Sequence, residues 1–80
     1  MLAEVPKWTR TGTAIERTSK FDSYPEAISF LVRVAFLAEA MNHHPDVMNS
    51  WTTVKLSLTT HDAGGLTALD FKLAKKIDAL

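Results

Sequence analysis

The stretch Thr53 to Asp70, TVKLSLTTHDAGGLTALD, carries most of the fold in eighteen letters. Val54, Leu56 and Leu58 alternate with Lys55, Ser57 and Thr59, the period-two signature of a strand with one buried face, here expected over Thr53 to Thr60. His61 follows at once, and Asp62-Ala63-Gly64-Gly65 reads as a loop. Thr67 and Asp70 then have the spacing of a capping box, with Leu66 and Phe71 placed as a hydrophobic staple. A helix is therefore expected over Thr67 to Leu80, with Leu69, Leu73, Ile77 and Leu80 along one side.

Upstream, Tyr24 to Met41 reads as the long helix. Ser23 and Glu26 form a second capping-box pattern, and Pro25 falls in the first turn, where its missing N–H does no harm. Ala27, Ile28, Leu31, Val34, Ala35, Ala38 and Met41 make an apolar stripe. Phe30 and Leu37 widen it onto a second face, which predicts packing on another subunit. The helix is expected to stop near Asn42, because Pro45 pushes His44 out of helical geometry and Asn tolerates the left-handed conformation of a helix end. A short strand over Val47 to Trp51 precedes the one already described. Lys7 to Phe21, rich in β-branched threonine, reads as a hairpin turning at Gly12. The order is β-β-α-β-β-α, an α+β arrangement in which an antiparallel sheet carries its helices on one face.

Composition narrows the function. The chain has 80 residues, 46% of them apolar, enough for one domain over residues 1–80. A chain this short hides only about 60–65% of its unfolded surface alone, so a homo-oligomer is expected. Nine basic residues balance nine acidic ones without a run of like charge, which argues against a nucleic-acid module or a polybasic membrane patch. The longest apolar run, Val34 to Ala38, is far short of the roughly 18 residues of a membrane span. The segment Met1 to Pro6 does not read as a signal peptide, so a cytoplasmic protein is expected. Without cysteine there is no disulfide, thiolate metal site or thiol catalysis.

All three histidines fall at element ends: His43 and His44 after the long helix, His61 after the strand. Imidazole can give and take protons near neutral pH, so the three together point to acid–base chemistry, although a single such residue is most often a cap or surface group. Zinc with an open fourth position is the weaker reading, because the neighbours His43 and His44 cannot easily bind one ion together. Glu39, one helical turn before His43, is placed to orient that ring or to form an ordinary surface pair. Asp70 reads first as a helix cap. Gly64-Gly65 lacks the pattern that cradles phosphate. Trp8 and Trp51 read as core or interface anchors before ligand-stacking residues.

The run Ala38 to Asp46 (AEAMNHHPD), then Trp51, Val54 and Leu58, then Thr60 to Thr67 (THDAGGLT) with Asp70 and Leu73-Ala74, resembles the pterin-4a-carbinolamine dehydratase family. The resemblance covers the chain from about Trp8 onwards. It implies a four-stranded antiparallel sheet with helices on one face. It also implies removal of water from a 4a-hydroxytetrahydropterin to give quinonoid dihydropterin, the recycling step for a tetrahydrobiopterin-type cofactor. No metal or organic cofactor is implied. His43, His44 and His61 match the family's catalytic histidines, and Glu39, Pro45, Thr60, Asp62, Ala63 and Asp70 match positions at or near its pterin pocket. Partners implied are the pterin substrate and a homodimer or homotetramer. In animals, members also serve as dimerisation cofactors of a homeodomain transcription factor, so the alternative is a non-enzymatic binding module that uses the long helix as its interface. A member that binds pterin without turning it over is a third expectation. Two departures stand out: the family's usual N-terminal helix is largely missing, with Leu2 to Pro6 in its place, and Val47 stands where many members have an aromatic residue.

Overall fold

The computed structural model describes residues 2–80. Four strands, β1 (Thr9–Thr11), β2 (Ala14–Lys20), β3 (Asp46–Ser50) and β4 (Thr53–Leu58), form one antiparallel sheet in the order β1-β2-β4-β3. Helices α1 (Tyr24–Met41) and α2 (Ala68–Asp78) complete the β-β-α-β-β-α chain.

The register explains which face is covered. Leu58, Leu56 and Val54 of β4 stand opposite Ile15, Arg17 and Ser19 of β2, and Val47 and Asn49 of β3 pair with Leu56 and Val54. Period-two alternation puts these side chains on one side of the sheet. There Ile15, Val54, Leu56 and Leu58 are buried against Ala27, Phe30, Val34 and Ala38 of α1 and Leu73, Ala74 and Ile77 of α2. The opposite face carries Glu16, Thr18, Lys55 and Ser57, with Lys55 Nζ 3.5 Å from Glu16. Leu56→Ala empties the middle of the core and should cost about 2–5 kcal/mol, read as a lower denaturation midpoint at an unchanged m-value.

The helix boundaries follow from their caps. Ser23 Oγ accepts the Glu26 N–H at 3.3 Å to open α1. Asn42 closes it in the left-handed conformation (φ 49°), and its N–H bonds to Glu39 at 3.1 Å while the His43 N–H bonds back to Ala38 at 3.0 Å. Both bonds satisfy carbonyls that the last turn would leave open.

Two expected faces are rotated from where the sequence put them. Phe30 is a core residue and Leu37 is half-buried against the core, so neither forms the free face of α1. That face is built by Val32 and Phe36, 50% and 75% exposed. Leu69 of α2 and Leu80, which lies beyond the end of the helix, are exposed, and the buried arc of α2 is Asp70, Leu73, Ala74 and Ile77. Helical spacing fixes the width of an apolar stripe, whereas the sheet beneath decides its centre.

Both hairpins turn through two residues, since Thr11 pairs with Ala14 and Ser50 with Thr53. The first turn starts at Gly12 (φ 61°), which suits the left-handed region. The second starts at Trp51 (φ 53°), so β3 ends one residue before the expected strand end. Trp51 is 77% exposed, against the expectation of a core anchor; its ring lies 5.9 Å from that of Tyr24. Asn49 Nδ2 donates to the Trp51 and Thr53 carbonyls at 3.1 and 3.0 Å and holds this strained turn.

The N-terminal segment is tied into the rest. After a single helical turn at Leu2–Glu4, Val5 and Trp8 are buried. Trp8 Nε1 and Arg17 both donate to Asp78 Oδ1, at 2.9 and 2.7 Å, and the Arg17 guanidinium lies 5.6 Å from the centre of the Phe30 ring. Lys75 pairs with Glu4, and its hydrogen bond and charge hold the Glu4 carboxyl below the usual carboxylate range. That contribution, small because the pair is exposed, is present above the ordinary range and is lost as pH falls through the lowered value.

Candidate active site

The C-terminal end of α1 and the end of β4 meet at one edge of the molecule. Chain reversal at Asn42 carries His43 inward and leaves His44 half in solvent. Beyond β4, Thr60 bridges Gly65: the Thr60 N–H donates to the Gly65 carbonyl at 3.0 Å and the Gly65 N–H returns a bond at 3.3 Å. The bridge closes a short helical turn, His61–Ala63, ended by Gly64 at φ 71°. His61 is thereby presented across from His43 and His44. A cleft of about 270 Å³ lies between them, lined by Asn42, His43, His44, Thr59, Thr60, His61 and Asp62.

Behind the cleft sits Asp70, fully buried at the start of α2. Its Oδ2 accepts the Thr67 N–H and the Thr60 hydroxyl, both at 2.8 Å, and its Oδ1 lies 2.6 Å from His43 Nε2. A carboxylate only accepts, so His43 donates from Nε2. The other ring nitrogen, Nδ1, takes no part in this side-chain network, and His43 is one of the residues that line the cleft. No buried side-chain nitrogen or oxygen among the described residues lacks a partner, which means that Nδ1 is open rather than stranded. The hydrogen-bond network thus assigns the neutral ring as the Nε2–H tautomer, with a lone pair on Nδ1 available as a base.

Glu39 pairs with His44 rather than with His43: its Oε1 lies 2.8 Å from His44 Nε2. The i,i+4 expectation assumed that the helix ran on to residue 43, whereas the left-handed Asn42 swings His44 back over the last turn. His61 is exposed. Asp62 lines the cleft, and Ala63 lies in the same turn, exposed, but is not part of the lining. Pro45 and Glu39 line a different, larger groove of about 570 Å³ between α1 and β3, whose walls are mostly apolar and which meets the histidine cleft at His44. Asn42, read from the sequence only as the helix end, and Thr59, read only as a strand residue, also border the cleft; the sequence signal for a site role is their adjacency to His43 and Thr60. Among the described residues no three His, Asp or Glu side chains converge to hold a metal ion.

The fold and the site define an α+β protein with a three-histidine cleft backed by a buried carboxylate. The pterin 4 alpha carbinolamine dehydratase family profile matches residues 1–80, and the chain belongs to that family. Curated relatives carry the pterin-4-alpha-carbinolamine dehydratase name, given to them provisionally. One from Roseiflexus sp. (strain RS-1) is 56% identical over 79 residues, covering 99% of this chain and 85% of the relative. Another from Nocardia farcinica (strain IFM 10152) is 49% identical, covering 99% and 83%. Among solved structures, a transcriptional coactivator/pterin dehydratase from Brucella melitensis superposes with a TM-score of 0.93 at 35% identity, over 98% of this chain and 85% of that one. A pterin dehydratase-like protein identified as a RuBisCO assembly factor of the alpha-carboxysome gives 0.73 at 23% identity, over 90% and 83%, and shares the fold.

Proposed function

We propose that residues 1–80 form a single dehydratase domain that converts a 4a-hydroxytetrahydropterin to quinonoid dihydropterin and water, in cytoplasmic recycling of a tetrahydrobiopterin-type cofactor. The observation that carries this reading is the meeting of His43, His44 and His61 on one cleft, with the His43 ring held by Asp70. Membership of the family supports it.

The chemistry needs two proton transfers. The C4a–O bond breaks, and the departing oxygen takes a proton from an imidazolium and leaves as water. A neutral imidazole accepts the proton lost from a ring nitrogen. There is no net oxidation. His43 and His61 share these transfers, and Nδ1 is the atom through which His43 does its part. His44, steadied by Glu39, holds the pterin ring. Asp62 and the Thr60 backbone form the opposite wall, while Pro45, Ala63 and Asp70 shape the turns around the ring. The test is the dehydration of freshly generated 4a-hydroxytetrahydropterin, followed by absorbance at a pH where the uncatalysed reaction is slow. Acceleration by the protein supports the reading, and a rate equal to the blank sinks it.

A second reading rests on a separate observation. Val32 and Phe36 are exposed on α1 beside Val47 of the edge strand β3, an apolar surface that fits association with a second copy as a homodimer or homotetramer. A regulatory protein partner at the same helix is the non-enzymatic alternative, in keeping with the Brucella neighbour being described as a transcriptional coactivator as well as a pterin dehydratase. Phe36→Glu should convert an oligomer into a monomer at tens of micromolar in light scattering while the helical circular dichroism stays unchanged. A wild-type protein that is already monomeric removes the self-association reading.

A further inference from the structure

Thr60 is joined to more of the site than any histidine. Its backbone is clamped by the bridge to Gly65, and its carbonyl also accepts the Ala63 N–H at 3.0 Å, so it anchors the turn that bears His61. Its hydroxyl donates to Asp70 Oδ2 at 2.8 Å and lies 2.8 Å from Thr67 Oγ1. A hydroxyl has one proton. The Thr60 proton goes to the carboxylate, so the Thr67 hydroxyl donates to Thr60, and Thr67 Oγ1 in turn accepts the Leu69 N–H at 3.3 Å. Every donor in this chain points towards Asp70, whose other oxygen holds His43.

We propose that Thr60 is a positioning residue for the dehydration: its hydroxyl sets the rotation of the Asp70 carboxylate that holds the His43 ring, and so locks the His61 turn to His43. The proposal rests on reading the cleft as a dehydratase site. Without Thr60, Asp70 Oδ2 keeps only the Thr67 N–H, and the carboxylate can turn about its last side-chain bond. The ring on Oδ1 then loses its fixed direction, and the His61 turn loses its side-chain link to α2. Hydroxyl chains of this kind act as units, so removing one member weakens the alignment of the rest.

Thr60→Val removes the hydroxyl at nearly constant volume, and Thr60→Ser restores it. The valine variant should lose about 10- to 100-fold in kcat, as expected for a misaligned catalytic group, with KM nearly unchanged. Serine should recover most of that loss. A readout independent of turnover is the ¹⁵N shift of the two His43 ring nitrogens. In the wild type they should be well separated, Nε2 protonated and Nδ1 bare, and in the valine variant they should move towards each other as tautomers mix. Wild-type kcat together with wild-type ring shifts in Thr60→Val overturns the proposal. If the unmodified protein turns over no pterin, the dehydratase reading fails by itself, and the ring shifts still decide whether Thr60 orients His43. Should the valine variant not fold, Thr60→Ala repeats both measurements without the second methyl.

Discussion

Replacing both His43 and His61 with alanine is expected to slow pterin dehydration by about 10²- to 10⁴-fold, the usual worth of positioned acid–base groups. The two rings face one cleft from different elements, one after α1 and one after β4, so neither can take over the geometry of the other. The single variants should each retain less activity than simple partition would give, because a proton donor without its matching acceptor does half a reaction. The folding consequences differ. His61 is exposed and makes no side-chain hydrogen bond among the described residues, so His61→Ala should leave the melting temperature nearly unchanged. His43→Ala leaves Asp70 Oδ1 buried without its donor, which should cost about 1–3 kcal/mol. Parallel rate and melting measurements on the three variants separate chemistry from stability. A double variant with the wild-type rate would remove both histidines from the mechanism.

The second large effect belongs to Asp70→Asn. The substitution keeps shape and size but replaces one acceptor oxygen with a donor NH₂. If the amide NH₂ turns to the Thr60 and Thr67 side, it sets a donor against the Thr67 N–H; if it turns to His43, the ring must take the opposite tautomer to accept from it. The buried capping box loses its charged member as well. A destabilisation of about 2–4 kcal/mol is expected from these losses, which in a chain of this size is a fall of roughly 10–20 °C in Tm. Turnover should drop by about 10²- to 10⁴-fold even where the variant is fully folded, because His43 can take the opposite tautomer and present N–H to the cleft. Activity measured well below the melting transition checks the second effect without interference from the first. Wild-type turnover there would mean that the carboxylate does no more than cap the helix.

Several of these contacts are legible in the sequence alone. The ends of α1 were readable because Ser23, Pro25 and Asn42 are local signals that act within one turn. The alternation of Val54, Leu56 and Leu58 was readable because a strand with one dry face has no other economical pattern. The Thr67–Asp70 box was equally local. What escaped was set by contacts between distant residues. His43 and Asp70 are 27 positions apart, and nothing in spacing announces that a helix cap will also receive an imidazole. Apolar residues lie nearly all the way round α1, so periodicity alone could not place Phe30 inward and Phe36 outward. The Glu39 partner was misread by one residue because a left-handed Asn42 ends the helical geometry on which the i,i+4 rule depends. Trp51 was misread because β-turn demands, not burial, placed it.

Asp70 holds the first turn of α2 closed and the His43 ring in place with the same two oxygens. Helix ends fray more readily than whole domains unfold. A brief unwinding of that one turn, too small to register in a melting curve, therefore releases the imidazole as well. Warming this protein should stall whatever is done at His43 several degrees before the fold gives way, and cooling should restore it at once. The gap between the temperature of peak turnover and the melting midpoint then measures the looseness of a single helical turn.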